Sequence, residues 1–199
     1  MKRLLDIMIY CAALGLLIMA IHFITQKKST EIVVEKNESI SQYEETIRAQ
    51  KEQIIFLKIM FLRPDVNRPV AKKIANSILI QSESLEQNPN IFLAIIRQES
   101  RFTPGAIGTS GEQGLMQIMT AWKKTLCQGY NLMTIPQNIE CGSRIYSFWE
   151  STYEDRRTAL AAYNLGPVAV DKAMLAGQRI DSKYADEVLT IFNRLQELD

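Results

Sequence analysis

The chain has 199 residues, 47% of them hydrophobic and 23% charged, with a formal net charge of +1. That length suits one modest domain plus extra segments, and the near-neutral balance argues against nucleic acid as a partner, because phosphate binding leaves a basic footprint. With a single histidine (His22), no CxxC pair and no Gly-rich phosphate loop, a His/Cys metal centre and nucleotide-binding loops are set aside, and no cofactor is expected.

The chain opens on basic "MKRLLD" and then runs from Ile7 to Ile24 without a formal charge. As a helix those residues would span roughly 27 Å, enough for a bilayer core. The expectation is an N-terminal transmembrane anchor over residues 1–25. A cleaved signal peptide is the alternative, but its apolar core is shorter and no A-x-A site follows the run. Cys11 follows bulky Tyr10, where a lipoprotein cleavage site wants a small residue, so it reads as helix packing. Lys2 and Arg3 before the run, against Lys27 and Lys28 after it, give the expectation of a cytoplasmic N-terminus.

Residues 26–65 read as a helical stalk. From 31 to 62 there is neither Gly nor Pro, and Val33, Ile40, Ile47, Ile54 and Phe61 recur every seven residues, with Tyr43 and Leu57 in two of the matching d positions. This partial heptad fits self-association, an envelope partner, an amphipathic helix folded onto the domain, or a solvated spacer. "RPDVNRP" at 63–69 marks the boundary.

From residue 66 to 199 the pattern is all-α, and no segment sustains strand alternation. "VAKKIANSILIQSESL" has apolar residues at helical spacing, and "IFLAIIRQESRF" follows "NPN", with Asn90 as the expected cap. A Gly-rich stretch then leads to "LMQIMTAWKKTL", and three more helical segments close the chain. About 130 residues can build an independent core.

Within "NIFLAIIRQESRF", Glu99 follows a strongly apolar run. A carboxyl backed by apolar side chains is held protonated, because desolvation disfavours its charged form. A protonated glutamic acid near neutral pH is a general acid, the group that glycosidic bond cleavage needs at the leaving oxygen. A surface glutamate paired with Arg97 or Arg101 is the plainer alternative.

"RQESRF", then "GEQGLMQIM" at 111–119, then "LAAYNLGP" at 160–167 occur in this order. Together they closely resemble the soluble-type (SLT) lytic transglycosylases, whose catalytic domain is goose-lysozyme-like, and Glu99 and Gly114 are fifteen residues apart as in well-known members. The resemblance covers residues 91–167 and, more loosely, 66–198. It implies a lysozyme-like helical catalytic domain whose substrate is peptidoglycan. Glu99 would protonate the oxygen between N-acetylmuramic acid and N-acetylglucosamine. As a carboxylate it would then take the proton of the muramic C6 hydroxyl, which closes a 1,6-anhydro ring. One carboxylate then suffices where most glycosidases use two, and Glu112, in a Gly-flanked loop, is read as a solvated charge.

The same resemblance makes Ser100, Gln117, Met119, Tyr163 and Asn164 substrate-side residues. Ser100 would orient Glu99 or touch substrate. Gln117 and Met119 would line the sugar subsites, while Met116 is read as core. Tyr163 would hydrogen-bond the catalytic carboxyl, with Asn164 as its substrate-contacting neighbour. Three positions depart from the family pattern: Gly108 replaces a common serine, Thr120 a proline, and Trp122 a small polar residue. Cys127 and Cys141 would be bridged in an oxidising periplasm, for about 3 kcal/mol, or remain two buried thiols. A muramidase on the same fold and a non-catalytic peptidoglycan-binding scaffold are the rival functions.

Overall fold

The computed structural model describes the backbone from Lys2 to Leu198, and the side chains along it except those of residues 2–13, 24, 29–32, 35 and 123. The described residues are helical with loops between. The elements are α1 (Lys2–Leu62), α2 (Arg68–Ser84), α3 (Pro89–Glu99), α4 (Thr120–Thr125), α5 (Ile135–Tyr153), α6 (Arg156–Leu165), α7 (Pro167–Leu175) and α8 (Lys183–Gln196). The only strand-like pairing among them is two isolated bridges, Ile107 with Gln113 and Gln113 with Ile118.

The chain divides within α1 into two compact units, Met1–Ala49 and Gln50–Asp199. In the first unit, much of the expected anchor falls on residues whose side chains lie outside the description. Among the described residues no helix is long and apolar enough to cross a membrane, so the structure lends the expected transmembrane helix no support.

The second unit begins inside the expected stalk. Ile55, Phe56 and Ile59 are buried and belong to the same core as Ile74, Ile78, Ile91, Phe92 and Leu160. The heptad residues of this stretch, Ile54, Leu57 and Phe61, remain exposed. The helix therefore docks through a face next to the seven-residue stripe. Lys58 lies on the docked side, buried, with its ammonium donating to Asn90 Oδ1 at 3.0 Å. That bond is how a charge is tolerated there.

Helix α3 is the centre of this unit. Its first turn is capped by Asn88, whose side chain accepts from the Asn90 amide at 2.9 Å, with Pro89 beginning the helix. Asn90, the expected cap, is instead buried. Ile91 to Ile96 are all buried, so the helix is apolar all round, as a core helix should be. Its first polar residues after that run, Arg97, Gln98 and Glu99, emerge at the C-terminal end.

The backbone then turns sharply. Arg101 and Phe102 both have left-handed φ values, 51° and 61°, each costing on the order of 1 kcal/mol or more. Burial of Phe102 offsets this strain. So does Arg63, whose guanidinium donates to the Arg101 carbonyl and, at 2.9 Å, to Thr103 Oγ1. The loop from 103 to 119 is knitted to α5 by Asn138, which accepts from the Met116 amide and donates to the Gln113 and Leu132 carbonyls, each at 2.8 Å. Gly142 lets α5 approach this loop, because a Cβ there would lie 2.7 Å from Met116 Cβ. Next to it, Cys141 is joined to Cys127 in a disulfide with Cα atoms 5.6 Å apart, which ties the end of the α4 segment to α5.

Candidate active site

Glu99 is the last residue of α3 and faces a cavity of about 250 Å³. The lining comes from three parts of the chain: Glu99 from α3; Gly108, Thr109, Glu112, Gln117 and Met119 from the loop; and Tyr163 and Asn164 from the end of α6. The three motifs, whose lining residues run from Glu99 to Asn164, are thus brought to one place.

The carboxyl of Glu99 is pushed up to about 7 from an ordinary 4.5. Burial is the main cause, the negative charge of Glu112 adds to it, and a hydrogen bond from Tyr184 opposes it. Tyr184 donates its hydroxyl to Glu99 Oε1 at 2.7 Å. Glu99 is therefore partly protonated at neutral pH, the state of a general acid. Burial also holds the Tyr163 and Tyr184 phenols well above their usual range, so both remain hydrogen-bond donors.

Several expected roles are revised. Tyr163 does line the cavity, but its hydroxyl donates to the Met116 carbonyl at 2.8 Å rather than to Glu99. It braces the loop. The partner of the carboxyl is Tyr184 on α8, which the motif reading missed. Its only sequence signal is an aromatic residue near the start of an amphipathic helix, and that is equally the signal of a core tyrosine. Ser100 turns inward as the C-cap of α3, with its hydroxyl donating to the Ile96 carbonyl at 3.3 Å, and it is not among the residues lining the cavity. Gln117 lines the cavity in a left-handed backbone conformation, with φ of 44°. Its amide group donates to the Ala106 and Gly114 carbonyls at 3.2 and 2.8 Å, which leaves its oxygen to accept from a ligand. Met119 and Asn164 are exposed at the rim. Glu112, read as a solvated loop charge, lies in the cavity with Glu99.

Trp122 stands beside Gln117, Met119 and Tyr163 around a smaller hollow. It is wedged edge-on against Trp149, with ring centroids 5.4 Å apart. An aromatic wall next to polar groups is the usual make-up of a sugar subsite, apolar faces for the ring and hydrogen bonds for its hydroxyls. Among the described residues no group of three or more His, Cys, Asp or Glu is placed to hold a metal ion.

Replacing Tyr184 by Phe removes a hydrogen bond that favours the ionised carboxyl. The expected result is a rate lowered several-fold, with the pH at which activity falls displaced upward, because Glu99 then holds its proton more tightly. A pH–rate profile checks this. A profile unmoved by the substitution would remove Tyr184 from the site.

A buried central helix that ends on an acid, beside a loop and the end of α6 supplying amide and aromatic groups, makes an all-α, lysozyme-like domain. The Transglycosylase SLT domain family matches residues 76–184, more than half of the chain, and the chain belongs to that family. Solved structures with the same fold include the 70 kDa soluble lytic transglycosylase of Escherichia coli, with 22% identity and a TM-score of 0.56 over 76% of this chain. The complex of the 70 kDa soluble lytic transglycosylase with bulgecin A gives 21%, 0.57 and 76%. An inactive mutant of the lytic transglycosylase Slt from Pseudomonas aeruginosa gives 23%, 0.53 and 62%. The match covers only 24%, 30% and 31% of the Slt, Escherichia coli and bulgecin-complex chains respectively.

Proposed function

We propose that this chain is a peptidoglycan lytic transglycosylase that cuts the β-1,4 bond between N-acetylmuramic acid and N-acetylglucosamine. The observation that carries the reading is the buried carboxyl of Glu99, pushed up to about 7 by desolvation, inside a cleft lined by the three family motifs. Glu99 gives its proton to the glycosidic oxygen as the bond from that oxygen to muramic C1 breaks. Positive charge builds on C1 and the ring oxygen. The carboxylate left behind takes the proton of the C6 hydroxyl, and the C6 oxygen bonds to C1. The product is the 1,6-anhydro sugar, and Glu99 ends the cycle protonated. Tyr184 steadies the carboxylate while it is charged, and Gln117, Met119 and Asn164 hold the sugars. Membership of the SLT family and the lytic transglycosylases that share the fold support this reading.

Purified sacculi and mass spectrometry of the released muropeptides test it. Anhydro ends, lighter than hydrolysed ones by the mass of one water, are the expected product. Release of hydrolysed ends alone would make the protein a muramidase, and binding without release would make it a scaffold.

The same reading places the enzyme on the periplasmic side of the inner membrane. The uncharged run from Ile7 to Ile24, with Lys2 and Arg3 before it, supports a single-pass anchor with its N-terminus in the cytoplasm. The part of the Gly- and Pro-free segment before Gln50 would then hold the domain off the bilayer and offer Val33, Ile40 and Ile47 to a second copy or an envelope complex. Wall gaps cut beside such an anchor would serve a secretion, conjugation or phage apparatus. Carbonate-resistant partition into the inner membrane is expected; a mature N-terminus near Thr25 would show a secreted enzyme instead.

A further inference from the structure

Glu112 is held inside the cleft by a cradle that depends on Gly108. Its Oε2 accepts the backbone N–H of Ser110 at 3.0 Å. A Cβ at position 108 would come within 2.8 Å of Gln117 Oε1 and closer still to Glu112 Oε2. Gly108 does not have a left-handed φ, so its backbone does not require glycine. What the missing side chain supplies is room for a carboxylate. Among the described residues no cation pairs with Glu112, and no group donates to its Oε1. A carboxylate held by one backbone N–H, with no countercharge among the described residues, thus lines the same cavity as Glu99.

We propose that Glu112 is a second catalytic carboxylate that activates water, so that this enzyme hydrolyses a share of the bonds it opens. The inference rests on Glu99 being the acid, as proposed above. In this branch Glu99 protonates the glycosidic oxygen and the C1–O bond breaks as before. Glu112, ionised, then takes one proton from a water molecule while the water oxygen bonds to C1. The products are a free C4 hydroxyl on one fragment and a reducing muramic end on the other, and one water is consumed. Glu112 returns its proton to solvent and Glu99 regains its own. Two carboxyls flanking a bond, one protonated and one ionised, form the general arrangement of glycoside hydrolysis. Here the water that Glu112 activates competes with the C6 hydroxyl for the same C1.

The test is digestion of sacculi in water enriched in oxygen-18 by the full chain, comparing wild type, Glu112→Gln and Gly108→Ser. Wild type should give both anhydro ends and reducing ends carrying the heavy oxygen. The ratio of labelled to anhydro ends should fall at least tenfold in Glu112→Gln, the size of effect a general base supplies. Gly108→Ser should lower the same ratio with Glu112 intact, because the serine side chain displaces the carboxylate. Circular dichroism melts matched to wild type keep the comparison one of chemistry. Wild type giving no labelled ends, or a Glu112→Gln variant with the wild-type ratio, overturns the hydrolytic branch alone, provided Glu99→Gln is inactive. Cleavage that survives Glu99→Gln overturns the reading of Glu99, and the branch with it.

Discussion

Glu99→Gln is expected to abolish glycan cleavage and, at pH 8, to make the protein more stable. The amide keeps the shape of the carboxyl and can still accept from Tyr184, but it carries no proton to give or take. A loss of at least a hundredfold is expected, within the range for a general acid–base group, and activity within tenfold of wild type would refute the assignment. The stability effect follows from the same burial. An unfolded chain loses the Glu99 proton near pH 4.5, whereas the folded chain holds it to about 7. Between those values the native state binds a proton that the unfolded state has released, so stability falls as pH rises through this window. By pH 8 the loss is about 3 kcal/mol, at 1.36 kcal/mol per unit. Glutamine has no such loss. Thermal melts should therefore show the variant well above wild type at pH 8, with the two close together near pH 4. Parallel melting curves at both pH values would show that Glu99 is not desolvated in solution.

The acid was legible in the sequence because its environment is local: the run from Ile91 to Ile96 that buries α3 also desolvates the residue at its end. The loop and the AYN segment were legible as family motifs. Their internal contacts were not, because a hydroxyl chooses among acceptors that only the fold brings near. Tyr163 found the Met116 carbonyl, and Ser100 found the carbonyl one turn back in its own helix, as serines at helix ends commonly do. Tyr184 meets Glu99 only because α8 lies against α3, where Gln98 also donates to Glu187 at 2.7 Å. A sequence separation of 85 residues leaves no local trace of that pairing. That Glu112 lines the cavity with Glu99 was hidden for a related reason. A charge between glycines reads as a loop tip, while the space that holds it is made by Gly108, four residues earlier.

The boundary at 63–69 misled for a different reason. In "IIFLKIMFL" apolar residues occupy nearly every position, so two stripes share one helix and periodicity cannot choose between them. The prolines end the helix, but they do not end the stalk's independence from the domain, which stops earlier.

A fragment beginning at Gln50 should fold and cut sacculi, whereas one beginning at Val66 should not fold. The shorter fragment lacks Ile55, Phe56 and Ile59, each buried to 3% exposure or less. Burying such a side chain is worth about 1.5 to 3 kcal/mol, so the three together contribute roughly 5 to 9 kcal/mol, comparable with the whole stability of a small domain. The cut also strips Lys58 from buried Asn90, and Arg63 from the left-handed turn that follows Glu99. The apolar surfaces of Ile74, Ile78 and their neighbours would lose the helix that shares their core. Removing only residues 1–49 takes away the other compact unit and leaves this core whole. Far-UV circular dichroism melts of the two fragments decide the matter. A cooperative transition for residues 66–199, within a few degrees of that for 50–199, would show that the end of α1 is an ornament on the domain. A broad or absent transition, together with loss of sacculus cleavage, would show that the domain begins where the burial begins.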